Sequence, residues 1–196
     1  MLFSIVVLIM SVVVHEVAHG YVASLLGDQT ARYAGRLTLN PIKHLDPIGS
    51  VIVPLITSMG GFIFGWAKPV PVNPYNLRPQ RWGEFWVAAA GPLSNIVLAL
   101  AFSAVIRFGG STLPESFVAI CSSIVLINLV LAFFNLVPIP PLDGSKVLFS
   151  LLPIHLGKIR DFLERYSLFL VLIFILFLWR LFLPLILWVF VLLIGG

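Results

Sequence analysis

The sequence predicts an all-α polytopic membrane protein, with a three-helix core, a small membrane-associated β or re-entrant region, and one or two C-terminal helices. Three observations carry this. Of the 196 residues, 60% are hydrophobic and 10% charged, and the mean hydropathy of +1.08 is too apolar for a water-soluble globule. Several apolar runs reach the roughly 20 residues that a helix needs to cross a bilayer. The polar stretches between them are short, so a single membrane-embedded domain over 1–196 is expected.

A first span is predicted over 2–26, ending at Gly27-Asp28, where glycine suits a left-handed residue after a helix. The first ten residues lack the charged region and small-residue cleavage site of a signal peptide, so this segment is expected to stay. From 28 to 82 the chain is mixed. An apolar run over 48–66 is flanked by Arg36-Leu-Thr-Leu-Asn-Pro and Ala67-Lys-Pro-Val-Pro-Val-Asn-Pro, which read as short edge strands. A second span covers 83–108; its Gly91-Pro92 is tolerated where neighbouring helices satisfy the freed carbonyls. A third covers 115–137 and stops at Pro138-Ile-Pro-Pro, since successive prolines cannot continue a helix. An amphipathic stretch follows over 138–165. The last run, 166–194, is interrupted by Arg180 and Pro184 and reads as one tilted helix or a tight pair.

Short-loop lysine and arginine orient such spans. Arg32, Arg36, Lys43, Lys68, Arg78 and Arg81 lie between the first two spans, and Lys146, Lys158, Arg160 and Arg165 follow the third. With both regions cytoplasmic, ten of the twelve basic residues are inside and the N-terminus is outside. That arrangement requires the 48–66 run to dip in and return. The net charge of +4 does not point to nucleic acid, because the basic residues are scattered and no aromatic-basic stripe accompanies them. A lone Cys121 excludes an internal disulfide and a thiolate zinc cluster.

His15-Glu16-Val17-Ala18-His19 places two imidazoles four residues apart, on one face of a helix, where they can share one metal. Glu16 stands beside them. A carboxylate next to a metal-activated water can take its proton and later return it to a leaving amine, which is the chemistry of peptide hydrolysis. Ionisable residues inside an apolar span cost about 2.5 kcal/mol or more each and mark function by default. A catalytic zinc normally takes three protein ligands. The candidates for the third are Asp143, Asp46, Glu84, Glu115 and His44. Asp143 follows the third span and lies at the depth of His15 and His19, whereas Glu115 sits at the opposite face and Glu84 complements a helix start.

His15-Glu-Val-Ala-His19 in one span, Gly91-Pro-Leu-Ser-Asn95 in a second, and Asn135-Leu-Val-Pro-Ile-Pro-Pro-Leu-Asp143-Gly144 closing a third resemble the site-2 protease family of intramembrane zinc metalloproteases. The resemblance implies one zinc per chain, held by His15, His19 and Asp143, with Glu16 as general base. It implies that Asn135 helps to hold substrate or intermediate, and it matches Asn95 to the asparagine of the middle helix. Asn40-Pro-Ile-Lys-His44 and Gly65-Trp-Ala-Lys-Pro-Val-Pro-Val-Asn-Pro74 are similar to compact members of the family. The resemblance implies that this region forms a membrane-associated sheet where an extended substrate adds as a strand; His44 then reads as a residue that contacts substrate or supports the site, or equally as a turn histidine at the membrane surface. The implied partners are the transmembrane segments of substrate proteins, the lipid bilayer and a regulatory membrane protein, with no nucleic acid. The implied location is a prokaryotic inner membrane with the site toward the cytoplasm. Unlike larger relatives, the chain has no PDZ-like domain between these motifs.

A zinc-binding membrane protein without catalysis, such as a transporter, is the competing class. Transporters favour repeated helices around a midplane site, and no internal repeat is apparent here. Nor does a transporter need Glu16 between two ligands.

Overall fold

The computed structural model describes residues 2–53, 55–56, 67–152 and 157–195. Its α-helices are α1 (Leu2–Leu25), α2 (Thr30–Tyr33), α3 (Gln80–Gly109), α4 (Glu115–Asn135), α5 (Asp143–Leu151), α6 (Gly157–Arg165) and a C-terminal span α7 (Ser167–Ile194). Among the described residues, α1, α3, α4 and α7 are long and apolar enough to cross a membrane. Their outward faces carry large apolar side chains such as Leu8, Val97, Phe177 and Trp188. Exposure of that kind suits lipid, where apolar surface costs nothing.

The span α7 is continuous, which answers the question left by Arg180 and Pro184. It holds a π-helical stretch, Phe174–Leu178, ahead of Pro184, a widened turn within an otherwise α-helical span. Its later half packs on α3 and α4 through Ile186, which meets Ala99, Val125 and Leu129 in a buried cluster.

The helix α3 lies at the centre, against α1, α4 and α5. Small residues allow this. Ala88, Ala89, Ala90, Gly91 and Pro92 are all buried, and small side chains let helix backbones approach closely in a membrane.

Between α1 and α3 the described chain has no strand, so the edge strands expected from the sequence are not found there. The reason is local chemistry. Pro69, Pro71 and Pro74 have no N–H to offer a ladder, and the remaining donors go elsewhere. Residues 67–73 instead form an extended strap. Of the 48–66 run, residues 54 and 57–66 lie outside the described residues; its start is a π-helical turn, Pro47–Ile52, capped by Asp46.

Asp28 ties this strap to the end of α1. Its buried carboxylate accepts from the Thr30 N–H at 3.1 Å, the Thr30 hydroxyl, the Asn76 side-chain amide at 3.0 Å and the Asn73 N–H at 2.7 Å. Burial alone pushes the carboxyl pKa up, but these donors outweigh it and hold it below the usual range. Because the folded value is the lower one, the stabilisation is present above the unfolded value of about 3.9 and is lost as pH falls through the folded value. Asp28→Asn is therefore expected to cost about 2 kcal/mol at neutral pH. Thermal unfolding in detergent should show a gap from wild type that is constant from roughly pH 8 to 5 and narrows only in stronger acid. A gap that closes already by neutral pH would contradict this.

Candidate metal centre

His15 and His19 lie one turn apart on α1, with ring centroids 4.7 Å apart and planes at 83°. Asp143 comes from the first residue of α5, more than a hundred residues later. Its Oδ2 is 3.0 Å from His15 Nε2 and 3.1 Å from His19 Nε2, and the two Nε2 atoms are 3.1 Å apart. All three side chains are buried.

The tautomers follow from a chain of forced choices. Asn128 donates to the Ile124 carbonyl at 2.9 Å and to the Ser11 hydroxyl at 3.0 Å, so that atom is its nitrogen and the other is its oxygen. That oxygen accepts from Asn95 Nδ2 at 2.8 Å, which leaves Asn95 Oδ1 to accept from His15 Nδ1–H at 2.6 Å. His19 Nδ1–H donates to the Val87 carbonyl at 2.6 Å. Each ring thus carries a proton on Nδ1, and in the neutral ring that a metal requires Nε2 presents a lone pair to its neighbours.

Two imidazole lone pairs and a carboxylate oxygen then meet with no hydrogen to share. Such a set is stable around a cation. Four donors at 2.0–2.1 Å around a tetrahedral zinc are about 3.3 Å apart, close to the spacings found. Among the described residues, His15, His19 and Asp143 are the group of metal-binding side chains close enough to share one ion. Outer partners that fix the tautomer and aim of a histidine are the usual support of a metal site, and Asn95 and the Val87 carbonyl supply it here.

Asp143 is placed by its own segment. The Pro138-Ile-Pro-Pro turn ends α4 and lets α5 begin at Asp143. Gly144 is required next, because a Cβ there would overlap the backbone of Leu136 and Val137. At the other end of α5, the Arg81 guanidinium donates to the carbonyls of Ser150 at 2.6 Å, Leu151 at 3.1 Å and Leu152 at 3.2 Å. This caps the helix C-terminus and ties α5 to the start of α3.

Glu16, half-buried, directs Oε2 to the backbone N–H of Val70 on the strap, at 2.8 Å. The remaining sequence candidates lie apart from the cluster. Asp46 caps a turn, Glu84 is in the second turn of α3 and Glu115 is exposed at the start of α4. His44 is buried with Nε2 donating to the Thr38 carbonyl at 2.8 Å. Asn135 turns its amide back on the Leu131 carbonyl at 3.0 Å.

Sequence reasoning passed over Asn128, Ser11 and Val70. The first two carried a signal: Ser11, His15 and His19 repeat at the helical i, i+4, i+8 spacing, and Asn128 is a polar residue inside an apolar span. Beside the centre, an open apolar groove of about 850 Å³ runs between α1 and α3, lined by Val14, Ala18, Trp86, Ala90 and Val97 among others.

Apolar spanning helices around a buried His, His, Asp set define a membrane-embedded metalloprotein. The chain belongs to peptidase family M50, whose model matches residues 3–118 and 108–178. It is 41% identical over 161 residues, 77% of this chain and 69% of the relative, to "Putative zinc metalloprotease YwhC" of Bacillus subtilis. It is 32% identical to Rip2 of Mycolicibacterium smegmatis over 71% of this chain and 53% of the relative. With zinc metalloprotease MJ0392 of Methanocaldococcus jannaschii the identity is 25%, over 80% of this chain and 36% of the relative. The chain thus spans about half or less of the last two relatives. No solved structure matches it. The family is one of peptidases, and these relatives carry the name zinc metalloprotease.

Proposed function

We propose that this chain hydrolyses peptide bonds in or beside the transmembrane segments of other membrane proteins, either to release membrane-tethered regulators or to clear signal-peptide remnants. The observation that carries the reading is the convergence of two histidine lone pairs and the Asp143 carboxylate beside Glu16, inside a bundle of apolar helices. Among the described residues the site lies within helices that turn apolar faces outward, and the apolar groove between α1 and α3 suits an apolar chain.

His15, His19 and Asp143 hold the metal, which when bound acts as a Lewis acid and lowers the pKa of water to about 7. Glu16 takes the proton of the attacking water on its carboxylate and passes it to the leaving amine. Asn95 orients His15, with Asn128 and Ser11 behind it, and Arg81 steadies the helix that carries Asp143. Asn135 and His44 stand outside the metal-ligand set, and contact with substrate is assigned to them. The basic residues of 32–81 and 146–165 favour an inner-membrane protein with these segments, and the site, on the cytoplasmic side. Labelling of a cysteine introduced at Tyr33 from the outside only would reverse that orientation.

The test is proteolysis in liposomes that contain the chain with a pool of single-span membrane proteins. New termini should arise within or next to spans with the wild type and not with Glu16→Gln. Their absence would refute the proteolytic reading. Asp143→Ala should lower bound zinc, measured by elemental analysis of the purified chain, to well below one per chain. Zinc retained at one per chain would place the third ligand elsewhere.

A further inference from the structure

The strap over 67–73 is fixed at three points. Lys68 N–H donates to the His44 carbonyl at 2.9 Å, Asn73 N–H to Asp28 at 2.7 Å, and between them the Arg36 guanidinium donates from Nη2 to the carbonyls of Lys68 at 2.6 Å and Pro69 at 3.4 Å. Arg36 is 7% exposed and its Nε is buried without a partner. A guanidinium buried at that cost is held where its other contacts need it.

The Pro69 carbonyl and the Val70 N–H belong to one peptide unit. Arg36 approaches that unit at its oxygen, and Glu16 Oε2 accepts from it at its nitrogen, at 2.8 Å. A cation at the carbonyl and an anion at the N–H polarise a peptide in the same sense, so each bond strengthens the other. Since Pro69 and Pro71 have no N–H, Val70 supplies the sole backbone donor of that stretch, and it is spent on Glu16.

We propose that Arg36 is a positioning residue for catalysis, which acts through the Pro69–Val70 peptide to hold one oxygen of Glu16 and leave the other for the proton. This rests on the proteolytic reading above, in which Glu16 is the general base. A carboxylate free to rotate spends part of its time turned away from the water it must deprotonate, and proton transfer is sensitive to such geometry. Arg36 contacts the Lys68 and Pro69 carbonyls and no metal ligand, so its effect is expected on turnover, with zinc retained.

Two measurements on the full chain test this. In liposomes, with any substrate from the pool that the wild type cleaves, Arg36→Ala should lower kcat by about tenfold to a hundredfold, part of the 10²–10⁴ that a general base supplies. KM and bound zinc should stay at wild-type values, and Arg36→Lys, which keeps a donor for the Lys68 carbonyl, should recover part of the loss. In detergent, amide hydrogen exchange across 67–73 should quicken in both Arg36→Ala and Glu16→Ala while α3 and α4 keep their protection. A kcat within twofold of wild type, a parallel loss of zinc, or exchange across 67–73 indifferent to Glu16 would overturn the proposal. Exchange needs no substrate, so it separates the two readings: a wild type that cleaves nothing, with exchange that still follows Glu16, overturns proteolysis and leaves the strap's hold on Glu16 standing.

Discussion

Glu16→Gln is expected to abolish cleavage while zinc stays at one per chain. The amide has the size of the carboxylate, and its oxygen can still accept the Val70 N–H that Glu16 Oε2 accepts at 2.8 Å. The side chain therefore stays in place. The hydrogen bonds that fix the metal-binding rings run from His15 to Asn95 and from His19 to the Val87 carbonyl, and none involves Glu16. What is lost is the capacity to take a proton. General-base catalysis contributes about 10²–10⁴ in rate, equivalent to about 3–5 kcal/mol of barrier. Elemental analysis and the appearance of new substrate termini, measured on the same preparation, separate the two effects. Cleavage at the wild-type rate with glutamine at 16 would remove the general base from the mechanism.

The parts legible in the sequence are those encoded locally. The four spans follow from runs of apolar residues, and the spacing of His15 and His19 puts both rings on one face without any tertiary information. Asp143 was reached by depth and by resemblance, through residues that also explain its geometry: the prolines that end α4 and the glycine that lets α5 pack on Leu136. The parts that were not legible depend on partners far apart in the chain. Asn95 was reached by resemblance, and Ser11 and Asn128 carried only spacing and polarity as signals; the hydrogen-bonded line that the three form to His15 exists only once α3 and α4 pack. The strap misled for another reason. Alternation of valine and proline over 69–72 imitates a strand, but the prolines remove the donors of a ladder, and the valine donor at 70 goes to a side chain. The π-helical stretch of α7 has no sequence signature beyond the proline that follows it.

The sharpest steric test of the centre is Gly91→Ala, which should strip the protein of zinc without touching a ligand. A Cβ at 91 would lie against Nε2 of both His15 and His19, inside van der Waals contact with each, and so in the space where the three ligand atoms converge. Moving α3 away from α1 is opposed, because α4 and α5 pack against it, and packed helices do not shift without loss of contacts. The rings must turn instead. Turning them breaks Nδ1–H to Asn95 and Nδ1–H to Val87, and with those bonds goes the tautomer that presents Nε2. Loss of one outer partner alone costs a metal site about 10–100-fold in affinity. Here both histidines lose theirs and the cavity is filled as well, so affinity for zinc, measured by competition with a chromophoric chelator, should fall by more than about a hundredfold. The helical circular dichroism should be unchanged, since alanine favours a helix more than glycine does. An alanine variant that binds zinc as tightly as the wild type would mean that the metal does not sit among His15, His19 and Asp143.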